Sequence, residues 1–72
     1  MTQTQTRTTD SPVSNVTYDL MQALTSKLEA IEAYGKYRHD ATGEVAKLFE
    51  ELLAEDRRQA DRLLAALRSE LR

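Results

Sequence analysis

The stretch HDATG, residues 39–43, decides the fold of this chain because it separates two helical patterns that mirror each other. Its residue types favour a tight turn, with Thr42 as the expected N-cap of the second helix. A connection this short forces the two helices to lie antiparallel and side by side. The sequence therefore predicts an all-α hairpin in which residues equidistant from the break face each other: Leu20 and Leu63, Ile31 and Leu52, Tyr34 and Phe49, Lys27 and Asp56.

Both helices are predicted from apolar residues that recur with the helical period. The first should begin near Asn15 to Thr17, where Ser14, Asn15 and Thr17 are all competent N-caps, and end at about His39. The second should run from about Gly43 to Ser69 or beyond. Gly35 lies on the apolar stripe of the first helix, where glycine costs about 1 kcal/mol relative to alanine. It indicates either close approach of another helix or a tolerated defect.

The apolar stripes predict a second copy of the chain. Each is wider than roughly 100°, which is more than one neighbouring helix can cover, so a lone hairpin would leave leucines in water. We therefore expect a homodimer, as the minimum unit, with four helices around one core. The expected core comprises Leu20, Leu24, Leu28, Ile31, Tyr34, Phe49, Leu52, Leu63 and Leu67.

Composition limits the partners and the compartment. The chain has 72 residues, no cysteine, and 10 basic against 12 acidic residues, so no field of one sign attracts nucleic acid or a membrane surface. Without a signal peptide or a long apolar run, we expect a cytoplasmic protein. Residues 1–15 form a predicted disordered polar tail, an address for a larger complex or shell in one interpretation, and residues 16–72 form the predicted hairpin.

Charged residues mostly lie off the apolar stripes. Glu51 and Glu55 with Arg58 and Arg62 have the spacing of ordinary salt bridges within a helix. Asp56 differs, because it lies at the angular centre of the second stripe, where a carboxylate needs a cation or several hydrogen-bond donors. Lys27 is the obvious candidate, either in the same hairpin or across the dimer.

The two segments LEAIEAYGKYRHDA (residues 28–41) and EVAKLFEELLAEDRRQADRLL (residues 44–64) resemble the ferritin-like superfamily, especially rubrerythrins and the small encapsulated ferritins. The resemblance covers roughly residues 20–67. Those small ferritins are two-helix chains that form a four-helix bundle by dimerising. The family's second-helix signature, an aromatic residue, an acid, a histidine and an alanine, falls here on Phe49, Asp56, Gln59 and Ala60.

All three positions that match the family's metal ligands are altered. The family has glutamate and histidine on the second helix and a further glutamate on the first, whereas this chain has Asp56, Gln59 and Lys27. Lysine puts a fixed positive charge where a dication would sit, and glutamine is a poor ligand for iron or manganese. The expected protein is therefore a structural or interaction module with no metal or other cofactor, and the sequence has no motif that supports nucleophilic catalysis.

Other interpretations stay open at this stage. A shifted alignment would use Glu29, Glu32 and Glu55, although these carboxylates point roughly 80° or more from the stripes. The rival function is a small di-iron or iron-binding protein, for ferroxidation or iron storage, with a carboxylate site at the dimer interface. His39 is interpreted as a partner of the helix dipole rather than a ligand.

Overall fold

Residues 11–72 are described by the structure, a computed structural model. They form two helices, α1 over Asn15–Asp40 and α2 over Gly43–Glu70, which pack against each other along their length. The predicted helical hairpin is confirmed, and each helix ends within one residue of its predicted end. The first ten residues of the predicted tail lie outside the described residues. The four-helix dimer stays a prediction.

Of the three predicted N-cap candidates, Ser14 is the one that caps the start of α1. Its Oγ accepts a hydrogen bond from the Thr17 backbone N–H at 3.0 Å and donates to the Thr17 Oγ1 at 3.0 Å. Thr17 is buried, with 4% of its surface exposed. The cap therefore satisfies one free N–H of the first turn and also holds a polar side chain that the hairpin buries.

Ala41 and Thr42 alone connect the helices. The Ala41 N–H donates to the Arg38 carbonyl at 3.2 Å, and Thr42 is the N-cap of α2, as predicted. Its side chain, however, makes no capping hydrogen bond. The next residue, Gly43, has φ 62°, a left-handed conformation that glycine adopts without steric cost and that gives the first turn an irregular path.

Three aromatic side chains fix the register beside this turn. The rings of Tyr34 and Phe49 are stacked with centroids 6.2 Å apart, and Tyr37 lies 6.0 Å from Tyr34 and 5.6 Å from Phe49. Such ring pairs add to the energy of area burial. The predicted pairing of Tyr34 with Phe49 is confirmed.

The hairpin has a seam but no enclosed core. Its principal extents are 50 × 26 × 15 Å, so it is one layer of helix thick. Within residues 11–72 Ala60 is the only buried apolar residue, at 7% exposure. Eight larger apolar residues are exposed: Val16, Tyr18, Met21, Leu28, Tyr37, Val45, Leu48 and Leu71.

Gly35 does not meet another helix of its own chain. A Cβ added there would have nothing within 4 Å among the described residues, so close approach to α2 is not the reason for this glycine. We expect Gly35→Ala to stabilise the protein by about 0.5–1 kcal/mol, measured by urea unfolding, because alanine loses less entropy in a helix. A loss of stability would contradict this and would indicate a partner chain packed at Gly35.

Gly43→Ala is the matched control. The added methyl also meets nothing within 4 Å, but the residue is held at φ 62°. Because alanine in the left-handed region costs about 1–2 kcal/mol, this change should destabilise the protein in the same assay.

Candidate functional site

Lys27, Asp56 and Gln59 meet at the middle of the hairpin. Lys27 comes from α1, and Asp56 and Gln59 lie one turn apart on α2, so both reach the same point. The Lys27 Nζ lies 3.3 Å from the Asp56 Oδ1 and donates a 2.7 Å hydrogen bond to the Gln59 Oε1. The predicted contact between Lys27 and Asp56 is confirmed, and it forms within one hairpin.

The ion pair lies at the edge of the seam. The Lys27 side chain is 28% exposed and that of Asp56 is 15% exposed. The Lys27 side chain as a whole is therefore more accessible to water than that of Asp56. A pair of this kind lies between exposed pairs, worth about 0–1 kcal/mol, and fully buried pairs, whose disruption costs about 3–5 kcal/mol.

The three side chains do not fit a di-iron or related metal site. The ammonium group of Lys27 occupies the space between the Asp56 and Gln59 oxygens and donates to both. The oxygen atoms that would bind a metal therefore face a fixed positive charge. Only one of the three is an anionic ligand, and none is an imidazole.

The alternative carboxylates are exposed and separate. Glu29, Glu32 and Glu55 all lie on the solvent side of their helices. Among residues 11–72 no three side chains of the histidine, cysteine, aspartate and glutamate types lie close enough together to hold a metal ion. His39 lies in the last turn of α1, about 18 Å along the helix from Lys27, where its charge can interact with the helix dipole.

An open cleft of about 410 Å³ lies beside the ion pair. It is lined by Lys27, Gln59, Arg62 and Leu63. Its polar lining consists of two cations and an amide whose oxygen is already used by Lys27. The cleft therefore presents hydrogen-bond donors over one leucine, a combination that suits an acidic or mixed acidic and apolar surface.

The predicted salt bridges of Glu51, Glu55, Arg58 and Arg62 do not form. None of the four makes an ion pair within the part of the chain that the structure describes, where α1 and α2 are linked instead by Lys27–Asp56 and by Arg38–Glu50 at 2.6 Å. Spacing accounts for part of this result, because Glu51 and Glu55 are four residues apart, as are Arg58 and Arg62, and each of these pairs has like charges. Glu55 and Arg58, three residues apart, could pair by spacing, but both side chains are exposed and form no ion pair with each other.

Two contacts were not predicted from the sequence. Gln59 was expected as an altered ligand position rather than as an acceptor for Lys27, although its position one turn after Asp56 already placed both on one face. The pair Arg38–Glu50 lies slightly out of the register of equidistant residues. Long side chains near a turn reach across such offsets, and the residue pattern alone does not specify them.

No protein-family model, no curated protein and no solved structure matches this chain. Within residues 11–72, neither helix contains a stretch with the length and apolar character needed to cross a membrane.

Lys27 and Asp56 should be coupled in stability. Lys27→Met and Asp56→Leu are each expected to destabilise the protein by about 1–3 kcal/mol, because each leaves a partly buried charge without its partner, and the double variant should recover much of the loss. Urea unfolding of the four proteins gives the coupling energy. Effects that add within about 0.5 kcal/mol would show that the pair contributes no coupling.

The pair Arg38–Glu50 provides the control cycle. Its side chains are 48% and 50% exposed, so Arg38→Met and Glu50→Gln should show a coupling of about 0.5 kcal/mol or less. The contrast between the two cycles separates the effect of burial from that of ionic contact alone.

Proposed function

We propose that this protein is an oligomeric helical module whose smallest unit is a homodimer with a ferritin-like four-helix bundle, and that it acts as a structural or interaction protein without a working metal centre. The observation that carries the proposal is the single layer of the hairpin. Domains are built from at least two packed layers around an apolar core, and two helices of this length supply only one.

Exposure of apolar side chains supports the homodimer. Leu28, Val45 and Leu48 are each at least 50% exposed in the single chain, and no side chain within residues 11–72 is fully buried. A second hairpin that covers one face would remove such surfaces from water, with about 25 cal/mol gained for each Å² of apolar area. A second copy is always present at the concentration of the chain itself and needs no other gene product.

The absence of a working metal centre is proposed from the chemistry of the ion pair. The ferritin-like resemblance places ligands at Lys27, Asp56 and Gln59, and these side chains satisfy one another. An ion pair then joins α1 to α2 at the point where a metal ion would otherwise link them. The bundle would keep the architecture of the family and lose its redox chemistry.

The homodimer predicts a stability that depends on protein concentration. We expect sedimentation equilibrium at micromolar concentration to give twice the mass of the chain, and the melting temperature to rise with concentration, because dissociation is linked to unfolding. A monomer whose melting temperature is the same over a hundredfold range of concentration would contradict the proposal.

Metal analysis tests the second half of the proposal. The purified protein should contain no stoichiometric iron, manganese or zinc and should show no ferroxidase activity. Lys27→Glu, Asp56→Glu and Gln59→His together should introduce binding of ferrous iron, because they restore two carboxylates and an imidazole. Lys27→Gln alone is the control, since it removes the ammonium group without adding a ligand.

Two outcomes would contradict this second half. Tight stoichiometric iron in the unaltered protein would favour the rival, an iron-binding protein with a carboxylate site at the dimer interface. A triple variant that stays helical and gains no iron would show that the ferritin-like alignment is wrong.

A further inference from the structure

The charged strip of α2, defined as Glu51, Glu55, Arg58 and Arg62, has the symmetry of a surface that binds its own copy. We infer that two copies meet through this strip and the leucines beside it, with their α2 helices antiparallel and centred on each other. The inference rests on the proposed homodimer and specifies which face forms it and in which register.

Charge is the first argument. The four residues follow a spacing of four, three and four, which places them on one side of the helix, and all four are exposed. Like charges lie four residues apart, an arrangement that destabilises an isolated helix. Within residues 11–72 none of the four finds an opposite charge. A facing surface with its charges in the opposite order would place cations against the two glutamates and anions against the two arginines, and so would neutralise both like-charged pairs.

The α2 helix of a second copy, running antiparallel, has its acidic and basic residues in this opposite order. The middle of α2, Gly43–Glu70, falls between residues 56 and 57. Glu51 and Arg62 lie at equal distances from this point, and so do Glu55 and Arg58. Two α2 helices that run antiparallel and overlap fully therefore place Glu51 opposite Arg62 and Glu55 opposite Arg58, and the two-fold axis repeats each pair.

Apolar packing follows the same register. Leu48 is 50% exposed and Leu52 is half-buried, and both lie beside the charged strip in the first half of α2. The cleft lined by Gln59, Arg62 and Leu63 lies in the second half, at the level that Leu52 of a centred antiparallel copy reaches. Leu48 of that copy would then lie over Ala66, so that a large side chain meets a small one.

The other exposed apolar face, on α1, has no comparable arrangement of charges beside it. Met21 and Leu28 of α1 are 42% and 53% exposed and lie seven residues apart on one line with Gly35. Asp19 and Lys36 are equidistant from the midpoint of α1, but Asp19 lies on the opposite side of the helix from that line. The charged strip of α2 is therefore the surface that selects a second copy in one register.

Complementary charge reversal tests the inference. The acid-reversed variant is Glu51→Arg with Glu55→Arg, and the base-reversed variant is Arg58→Glu with Arg62→Glu. Each alone places four like charges against four like charges, and we expect its dimer dissociation constant, from sedimentation equilibrium, to rise about tenfold or more. An equimolar mixture should recover affinity close to that of the unaltered protein, because every facing pair is again opposite in sign.

Two controls isolate the strip. Arg57→Glu with Arg68→Glu makes the same change in net charge as the base-reversed variant on another side of α2, and its dissociation constant should stay within about threefold of the unaltered value. The fourfold variant with all reversals in one chain keeps the original net charge and should dimerise on its own. If either half-reversed protein loses helicity by circular dichroism, the dissociation constant of the fourfold variant becomes the deciding measurement.

The outcomes separate this inference from the proposed homodimer. If the unaltered protein is a monomer, both fail. If it is a dimer that neither half-reversed variant weakens, or if the mixture and the fourfold variant do not recover affinity, the homodimer stands and the strip or its antiparallel register is overturned.

Discussion

The two-residue connection between α1 and α2 is the constraint on which the rest of the structure depends. Because the connection consists of Ala41 and Thr42 alone, the helices run antiparallel from the turn to their far ends. Contacts across the seam follow their distance from that turn, apart from the exposed pair Arg38–Glu50. The stacking of Tyr34 on Phe49 and the contact of Lys27 with Asp56 follow the same register at two different distances from the turn.

The same constraint leaves the chain short of apolar burial. Two helices in one layer bury only the residues along their seam, and Ala60 is the one apolar residue within residues 11–72 that this arrangement hides almost completely. Small domains already bury a limited fraction of their surface, against an entropy cost of about 1–2 kcal/mol for each residue ordered. A second layer, as in the proposed homodimer, would offset that cost without lengthening the chain.

The sequence was sufficient for features that depend on local pattern. The helices, the turn and the pairing of Lys27 with Asp56 all follow from helical period and a short connection, which act over a few residues or fix geometry rigidly. The choice of Ser14 among three possible N-caps came from the structure. The sequence was not sufficient where long side chains choose among partners. Gln59 accepts a hydrogen bond from Lys27, which the sequence did not predict. The salt bridges expected among Glu51, Glu55, Arg58 and Arg62 do not form within residues 11–72. The surroundings of such long side chains determine their rotamers, and the residue pattern does not specify those surroundings.

Lys27 connects the proposed absence of metal chemistry to the proposed dimer interface. In a metal site of the family's kind, carboxylates converge on a dication. Here Asp56, the only carboxylate at that point among residues 11–72, is engaged by Lys27. Arg62 at the rim of the same cleft has no acidic partner within the described part of the chain. Two cations against one carboxylate attract a further negative group. Under the proposed alignment, a lysine at this position both excludes a dication and adds positive charge to the surface, which the acidic half of α2 from a second copy would neutralise in the proposed dimer.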